Sequence, residues 1–197
     1  TFTTKPASLG SLTAVVTTNS QSSGTAVQIA TVAPTITSSS TAQAFSANTV
    51  TINGLGFDSI VAQNKVTFNN GAIGTVTSAT ATTLTVTFSK KPAAAGSLTA
   101  IVLTNGVSSG TPVQVAAVAP VVTGSSVSVL ATATTMTISG LGFDPVAARN
   151  VVTLSNGAIG TVTVARSTSL TVTFSVKPKT AGSVTAIVTT NGVVSGT

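Results

Sequence analysis

Acidic side chains are the scarcest chemistry in this chain. There are only two, Asp58 and Asp144, and there is no Glu, His, Cys, Trp or Tyr. Each Asp follows the same tetrapeptide, G-L-G-F, and the two stand 86 residues apart. A catalytic acid needs company. Paired-carboxylate glycoside chemistry requires two carboxyls flanking one bond, and a hydrolase triad requires a base to accept the nucleophile's proton. Neither set can be assembled here, so the chain reads as a non-enzyme with no catalytic residue. Calcium takes several oxygen ligands with carboxylates among them, and one Asp per repeat is too few. Without cysteine there is no disulfide and no thiolate metal site. No metal and no cofactor is expected. Gly54 and Gly56 form a G-x-G reminiscent of a phosphate loop, but no helix start follows, so bulge or turn geometry is the better reading. Phe57 and Phe143 read as core anchors.

Lysines recur at a fixed phase as well: Lys5, Lys91 and Lys177 each precede a proline between two strand-like runs. The plain reading makes them solvated turn residues and makes Asp58 and Asp144 caps of local backbone N–H groups. A sharper alternative pairs Asp58 with Lys91, and Asp144 with Lys177, as an ion pair or an internal Lys–Asn/Asp isopeptide cross-link. Such links ordinarily need a buried acid as proton shuttle, and no second acid is available. An intact mass showing no loss of ammonia or water per module would exclude the covalent form.

The elements that must carry these residues repeat. Phe2, Phe88 and Phe174 are spaced by 86, within TFTTKPASLGSLTAVVTTN, TFSKKPAAAGSLTAIVLTN and TFSVKPKTAGSVTAIVTTN. The block TINGLGFDSIVAQNKVTFNNGAIGTVT at Thr51 returns as TISGLGFDPVAARNVVTLSNGAIGTVT at Thr137, without a gap. That period is too long for a solenoid unit and fits one small domain. Pro34 and Pro120 mark the boundaries. Residues 35–119 form one complete module, 1–34 the C-terminal part of a preceding one, and 120–197 a third lacking the counterpart of Pro112–Val118. Two explanations stand for that missing strand. Either the sequence is a section of a longer array, or a strand donated by a neighbouring chain completes the open module. The chain opens within a strand-like pattern, which leaves room for a targeting segment upstream.

Within the complete module, period-two alternation predicts strands over Thr35–Ser38, Thr49–Asn53, Lys65–Phe68, Ile73–Ser78, Thr83–Phe88, Leu98–Thr104 and Thr111–Val118. Turn signals fall between them at Asn53, Asn69, Lys91 and Asn105. Leu84, Val86 and Phe88 point inward while Thr83, Thr85 and Thr87 point outward. The fold class is all-β: tandem immunoglobulin-like β-sandwiches of about seven strands each, in a rod-like array. TINGLGF, the NKVTF and NGAIGTV pair, ATTLTVTF and AGSLTAIVLTNGVSSG resemble the IPT/TIG domain over essentially the whole chain. That resemblance implies an immunoglobulin-like fold and a surface-stalk context, not an activity. Family members that bind DNA do so through loops of neighbouring domains, and nothing here matches those.

Composition bears on partners. The net charge of +6 and pI of 10.7 rest on eight scattered cations and missing acids. A phosphate-tracking surface needs a clustered basic stripe, so nucleic-acid binding is excluded. The longest apolar run, around Val115–Val122, is interrupted by Pro120 and too short to span a membrane. Charged residues make up 5% of the chain, against about a quarter in ordinary soluble domains. Exposed faces must then be Thr, Ser, Ala and Val, which favours self-association or a coat of O-glycans; no N-x-S/T sequon is present. The junctions Val32-Ala33-Pro34 and Val118-Ala119-Pro120 have no Gly/Ser linker, and proline restricts them. Segments 41–48 and 127–134, and the stretch near Ser59–Lys65, differ most between copies and read as exposed edges. The leading function is an extracellular fibre or cell-surface stalk. The alternatives are an adhesin binding a glycan or protein, which four percent aromatics, all Phe, argue against, and spacers beside an unseen catalytic domain.

Overall fold

Thr, Val and Ile alternate through much of the chain, and β-branched side chains pack well on a pleated surface. The computed structural model describes residues 3–4, 6, 9–39, 41–125 and 129–196. Phe2 and Lys5, first members of the Phe and Lys series, lie outside the described residues, as do 127–128 of the variable 127–134 segment. The first part of the chain holds β1 (Gly10–Ala14), β2 (Thr17–Thr18), β3 (Gln21–Ser22) and β4 (Val27–Val32). The complete module holds β5 (Thr35–Ile36), β6 (Ala42–Ala44), β7 (Thr49–Leu55), β8 (Asn64–Phe68), β9 (Ile73–Ala79), β10 (Thr83–Lys90), β11 (Gly96–Thr104), β12 (Val107–Ser108) and β13 (Val113–Ala119). The third module holds β14 (Val121–Ser125), β15 (Thr135–Leu141), β16 (Asn150–Leu154), β17 (Ile159–Arg166), β18 (Ser169–Val176), β19 (Ala186–Thr190) and β20 (Val193–Val194). A single 3-10 turn precedes β8 and another precedes β16.

The modules are immunoglobulin-like sandwiches. In the complete one, β5, β7, β10 and β9 form an antiparallel sheet in that order, facing a sheet in which β8 and β13 flank β11. β6 adds to β13 in parallel, Ala42 opposite Ala117 and Ala44 opposite Ala119. Ile52, Leu84 and Val86 of the first sheet and Leu98, Val102 and Val115 of the second share one core. Burying a side chain of this size contributes about 1.5–3 kcal/mol, so the alternation in β10, with Leu84 and Val86 buried between half-exposed threonines, holds the register. Phe57 and Phe143 are core residues in their respective modules.

Two expectations need correction. The first strand is only Thr35–Ile36, not Thr35–Ser38. The 41–48 segment is more than an exposed edge: it carries β6, and the Phe45 amide donates to the Ala119 carbonyl at 2.9 Å. Three residues are too few to show alternation, and the parallel partner lies more than 70 residues away, so no local pattern could mark β6. The third module shows what β13 does. β19 spans five residues where β11 spans nine. β11 pairs with β13 over Gly96–Ala100. Among the described residues no strand flanks the matching part of the third module, where 183–185 leave the ladder and Val184 and Ala186 are half-buried instead of buried.

Candidate functional site: the inter-module junction

The G-L-G-F-D segment begins in the last two residues of β7 and β15, and its glycines are required by close packing. A Cβ at Gly54 would sit 2.1 Å from the Thr35 carbonyl oxygen and 2.4 Å from the Phe57 ring; at Gly140 the matching distances are 2.3 Å to Val121 and 2.4 Å to Phe143. Gly56 and Gly142 turn the chain at φ of 76° and 80°, the left-handed region that glycine favours. The turn drops the Phe ring back into the core and presents the Asp at the end of the module.

Each Asp is held by an Asn network. In the third module Asn150 is buried. Its Oδ1 accepts from the Asp144 amide at 3.1 Å and from the Thr190 hydroxyl at 2.9 Å. Its Nδ2 donates to the carbonyls of Asp144 and Val146 at 2.7 and 3.1 Å. Asn64 repeats all four bonds in the complete module, with Asp58, Thr104 and Ile60. These groups bind the 3-10 turn to the end of β11 or β19. The carboxylates hold the residue just before it: Asp58 Oδ1 accepts from the Ile60 amide and Asp144 Oδ1 from the Val146 amide, both at 2.8 Å.

The second carboxylate oxygen looks toward the hairpin turn after β11 or β19. Asn105 and Asn191 open those turns at φ of 50°, each followed by Gly, the dipeptide that a two-residue hairpin turn prefers. Asn105 Nδ2 donates to Asp58 Oδ2 at 2.9 Å, and Asn191 Nδ2 to Asp144 Oδ2 at 3.1 Å. The Asn105 bond, then the Ile60 amide, hold the Asp58 carboxyl below its usual value. For Asp144, burial pushes the carboxyl up, but the Val146 amide, Asn191 and Arg149 outweigh it, and the net shift is downward. Arg149 lies 3.3 Å from Asp144, the one ion pair among the described residues.

Asn191 also reaches across the boundary. Its Nδ2 donates to the Ala95 carbonyl of the preceding module at 2.8 Å, while the Ala95 amide donates to Gly142 at 2.7 Å. Phe45 lies against Gly142, where a Cβ would come within 2.5 Å of its ring, and a Cβ at Gly96 would meet Asn191 at 3.1 Å. Pro120 is the sole residue between β13 and β14, and Val118, Ala119 and Pro120 are all buried. At the earlier junction Pro34 is buried, Val32 half-buried and Ala33 exposed. There Gly56 faces Leu9, and a cleft of about 730 Å³ opens beside it, lined by Leu55, Phe57, Asp58 and Asn105 among others. At Gly142 the corresponding place is packed by Phe45.

The lysines do not join the carboxylates. Lys91 Nζ donates to the Ser46 carbonyl at 2.5 Å, and Lys177 Nζ to Thr132 at 3.0 Å and Ala131 at 3.4 Å. The Asp58–Lys91 and Asp144–Lys177 pairs are therefore not formed, because each lysine ties its turn to the loop before β7 or β15 instead. Sequence reasoning missed Phe45, Ala95, Asn105 and Asn191. The asparagines did carry a signal: they share the 86-residue phase of the aspartates, but read as turn punctuation alone. Among the described residues no group of three or more His, Cys, Asp or Glu is placed to hold a metal. No helix among them is long and apolar enough to cross a membrane.

No protein-family model matches the chain, and no curated protein matches it. Three solved structures are similar at low identity. The surface glycan-binding protein PbSGBP-B from Prevotella bryantii is 17% identical over 82% of this chain, with a TM-score of 0.46. Domains 5–6 of the S-layer protein SbsC are 17% identical over 83% of this chain and 95% of their own, with a TM-score of 0.26. The BSP domain of a biofilm-associated protein is 17% identical over 84% of this chain, with a TM-score of 0.29. The chain spans 40% of the first of these structures and 28% of the third.

Proposed function

We propose that the chain is a section of an extracellular or cell-surface fibre or stalk, built of IPT/TIG-type modules, in which the stiff junction is the functional part. The observation that carries this reading is the second junction. One intervening residue, two backbone-anchored hydrogen bonds through Ala95 and the Phe45–Gly142 contact join successive modules. A junction so connected resists bending, and repetition on a gapless period turns resistance at one joint into a rod. The near-absence of ionisable groups supports the same reading, since acid–base catalysis has no residues to draw on. The test is small-angle X-ray scattering on the 197-residue chain and on longer arrays of the same modules. The expected result is a maximum dimension that grows linearly with module number. Growth closer to the square root of module number, as for flexibly linked beads, would refute a stiff stalk.

A further inference from the structure

We infer that the outer face of the sheet containing β7, β10 and β9, with its counterpart formed by β15, β18 and β17, is the surface through which two copies of this chain pack side by side. The inference rests on the fibre-or-stalk reading above and names the contact that reading leaves unspecified.

The face is a regular threonine array. Thr49 and Thr51 on β7 stand opposite Thr87 and Thr85 on β10, and Thr87 stands opposite Thr75 on β9. The third module repeats it: Thr135 and Thr137 stand opposite Thr173 and Thr171, and Thr161 opposite Thr173. Successive outward residues on one strand lie about 6.6 Å apart and neighbouring strands about 4.8 Å, so hydroxyls and methyls form a grid, interrupted where β9 and β17 shift register against β10 and β18. No charged residue occurs in 49–55, 73–79 or 83–89, nor in 135–141, 159–165 or 169–176; the charges on these strands are Lys90 at the end of β10 and Arg166 at the end of β17, opposite Ser169. Natural sheets ordinarily keep neighbours away with charge; these carry it only at the ends of β10 and β17. At the margin, Ile73 and Ile159 are each 58% exposed.

Covering a hydroxyl is costly unless its hydrogen bonds are made. Here several are made within the face. Thr77 Oγ1 donates to the Thr85 carbonyl at 3.3 Å and meets Thr87 Oγ1 at 3.2 Å. Thr163 repeats both bonds with Thr171 and Thr173, at 3.4 and 3.0 Å. Ser89 and Ser175 donate to the Ile73 and Ile159 carbonyls. The face can therefore be covered at small desolvation cost.

The occupant follows from charge, period and area. A face whose charge is confined to the strand ends has little with which to select a charged partner. A second copy brings the same grid at the same 86-residue interval, so matching one pair of modules brings the next into register. Each module offers on the order of 300 Å². One pair of faces then buries roughly 600 Å², and two pairs roughly 1,200 Å², the lower bound for a specific interface. Association should be negligible for a single module and should strengthen steeply with module number.

The test is sedimentation velocity of the 197-residue chain across a concentration series. A variant carrying T51K, T85K, T137K and T171K is compared with a control carrying T67K and T153K, which places lysines on exposed positions of β8 and β16 in the opposite sheet. A second face variant, T85K with T171K alone, guards against misfolding, and far-UV circular dichroism checks all of them. The expected result is concentration-dependent association by the native chain and the control, shifted at least about tenfold to higher concentration in both face variants. A native chain that stays monomeric, or face variants that associate like the control, would overturn the inference. So would sugars on Thr85 or Thr171 in protein from its natural source, since glycans would then be the cover. None of these results bears on stiffness, which the scattering of the monomer reads separately.

Discussion

Gly142→Ala probes the junction most directly. Two costs can be separated by comparison with Gly56→Ala. Both glycines hold left-handed backbone, at φ of 80° and 76°, and an L-residue there loses about 1–2 kcal/mol. They differ in what the added methyl meets. At Gly142 the new Cβ would lie 2.5, 2.6 and 3.0 Å from Cδ2, Cγ and Cβ of Phe45. That ring is attached to a backbone fixed on the Ala119 carbonyl, so relief requires the whole side chain or the module boundary to move. At Gly56 the nearest atom is the end of the Leu9 side chain, at 2.9 Å, which can rotate away. Overpacking typically costs about 1–3 kcal/mol. We therefore expect Gly142→Ala to cost about 2–5 kcal/mol and Gly56→Ala about 1–2 kcal/mol. The chain has no Trp or Tyr, so urea unfolding should be followed by far-UV circular dichroism. In a Phe45→Ala background, Gly142→Ala should fall to the left-handed cost alone, a coupling of about 1–3 kcal/mol. An equal cost of Gly142→Ala with and without Phe45 would show that the two residues do not meet, and the stiff junction would lose its main contact.

Three further outcomes are expected. Asn150→Ala deletes four hydrogen bonds and leaves buried partners unpaired; it should cost about 3–5 kcal/mol, as should Asn64→Ala, and a loss under about 1 kcal/mol in urea titration would contradict the network. Both aspartates have folded-state values below the ordinary one, so they add stability that is complete above the unfolded-state value and disappears as pH falls through the folded one; unfolding midpoints should be steady from neutral pH down to about 4 and drop below it, and the drop should shrink in a D58N/D144N chain. The Lys91 and Lys177 ammonium groups rest on backbone carbonyls rather than on Asp or Asn side chains, so an intact mass should equal the sequence mass, and a deficit of one ammonia or one water per module would reinstate the cross-link.

The legible part of this protein was its periodicity. Leu84 and Val86 alternating with threonines announce a half-buried strand because the side-chain period of a strand is two, and the repeat of TINGLGFD after 86 residues announces a second copy of the same module. G-L-G-F-D was visible as a motif, but its purpose was not: only packing shows Phe57 folded over Gly54 and Asp58 held by Asn64 and Asn105.

What only the tertiary structure decided is who meets whom across long separations. β6 is three residues of ordinary composition, yet it adds a strand to β13 because the two edges converge once both sheets are closed. Lys91 and Asp58 have complementary charge and equal phase, yet lie on different turns and find other partners, since a module end has room for only one set of neighbours around each carboxylate. Ala95, Gly142, Phe45 and Asn191 bear no shared pattern in the sequence. They form one contact because Pro120 fixes how the third module follows the second, and the backbone groups at both ends must then be satisfied by each other.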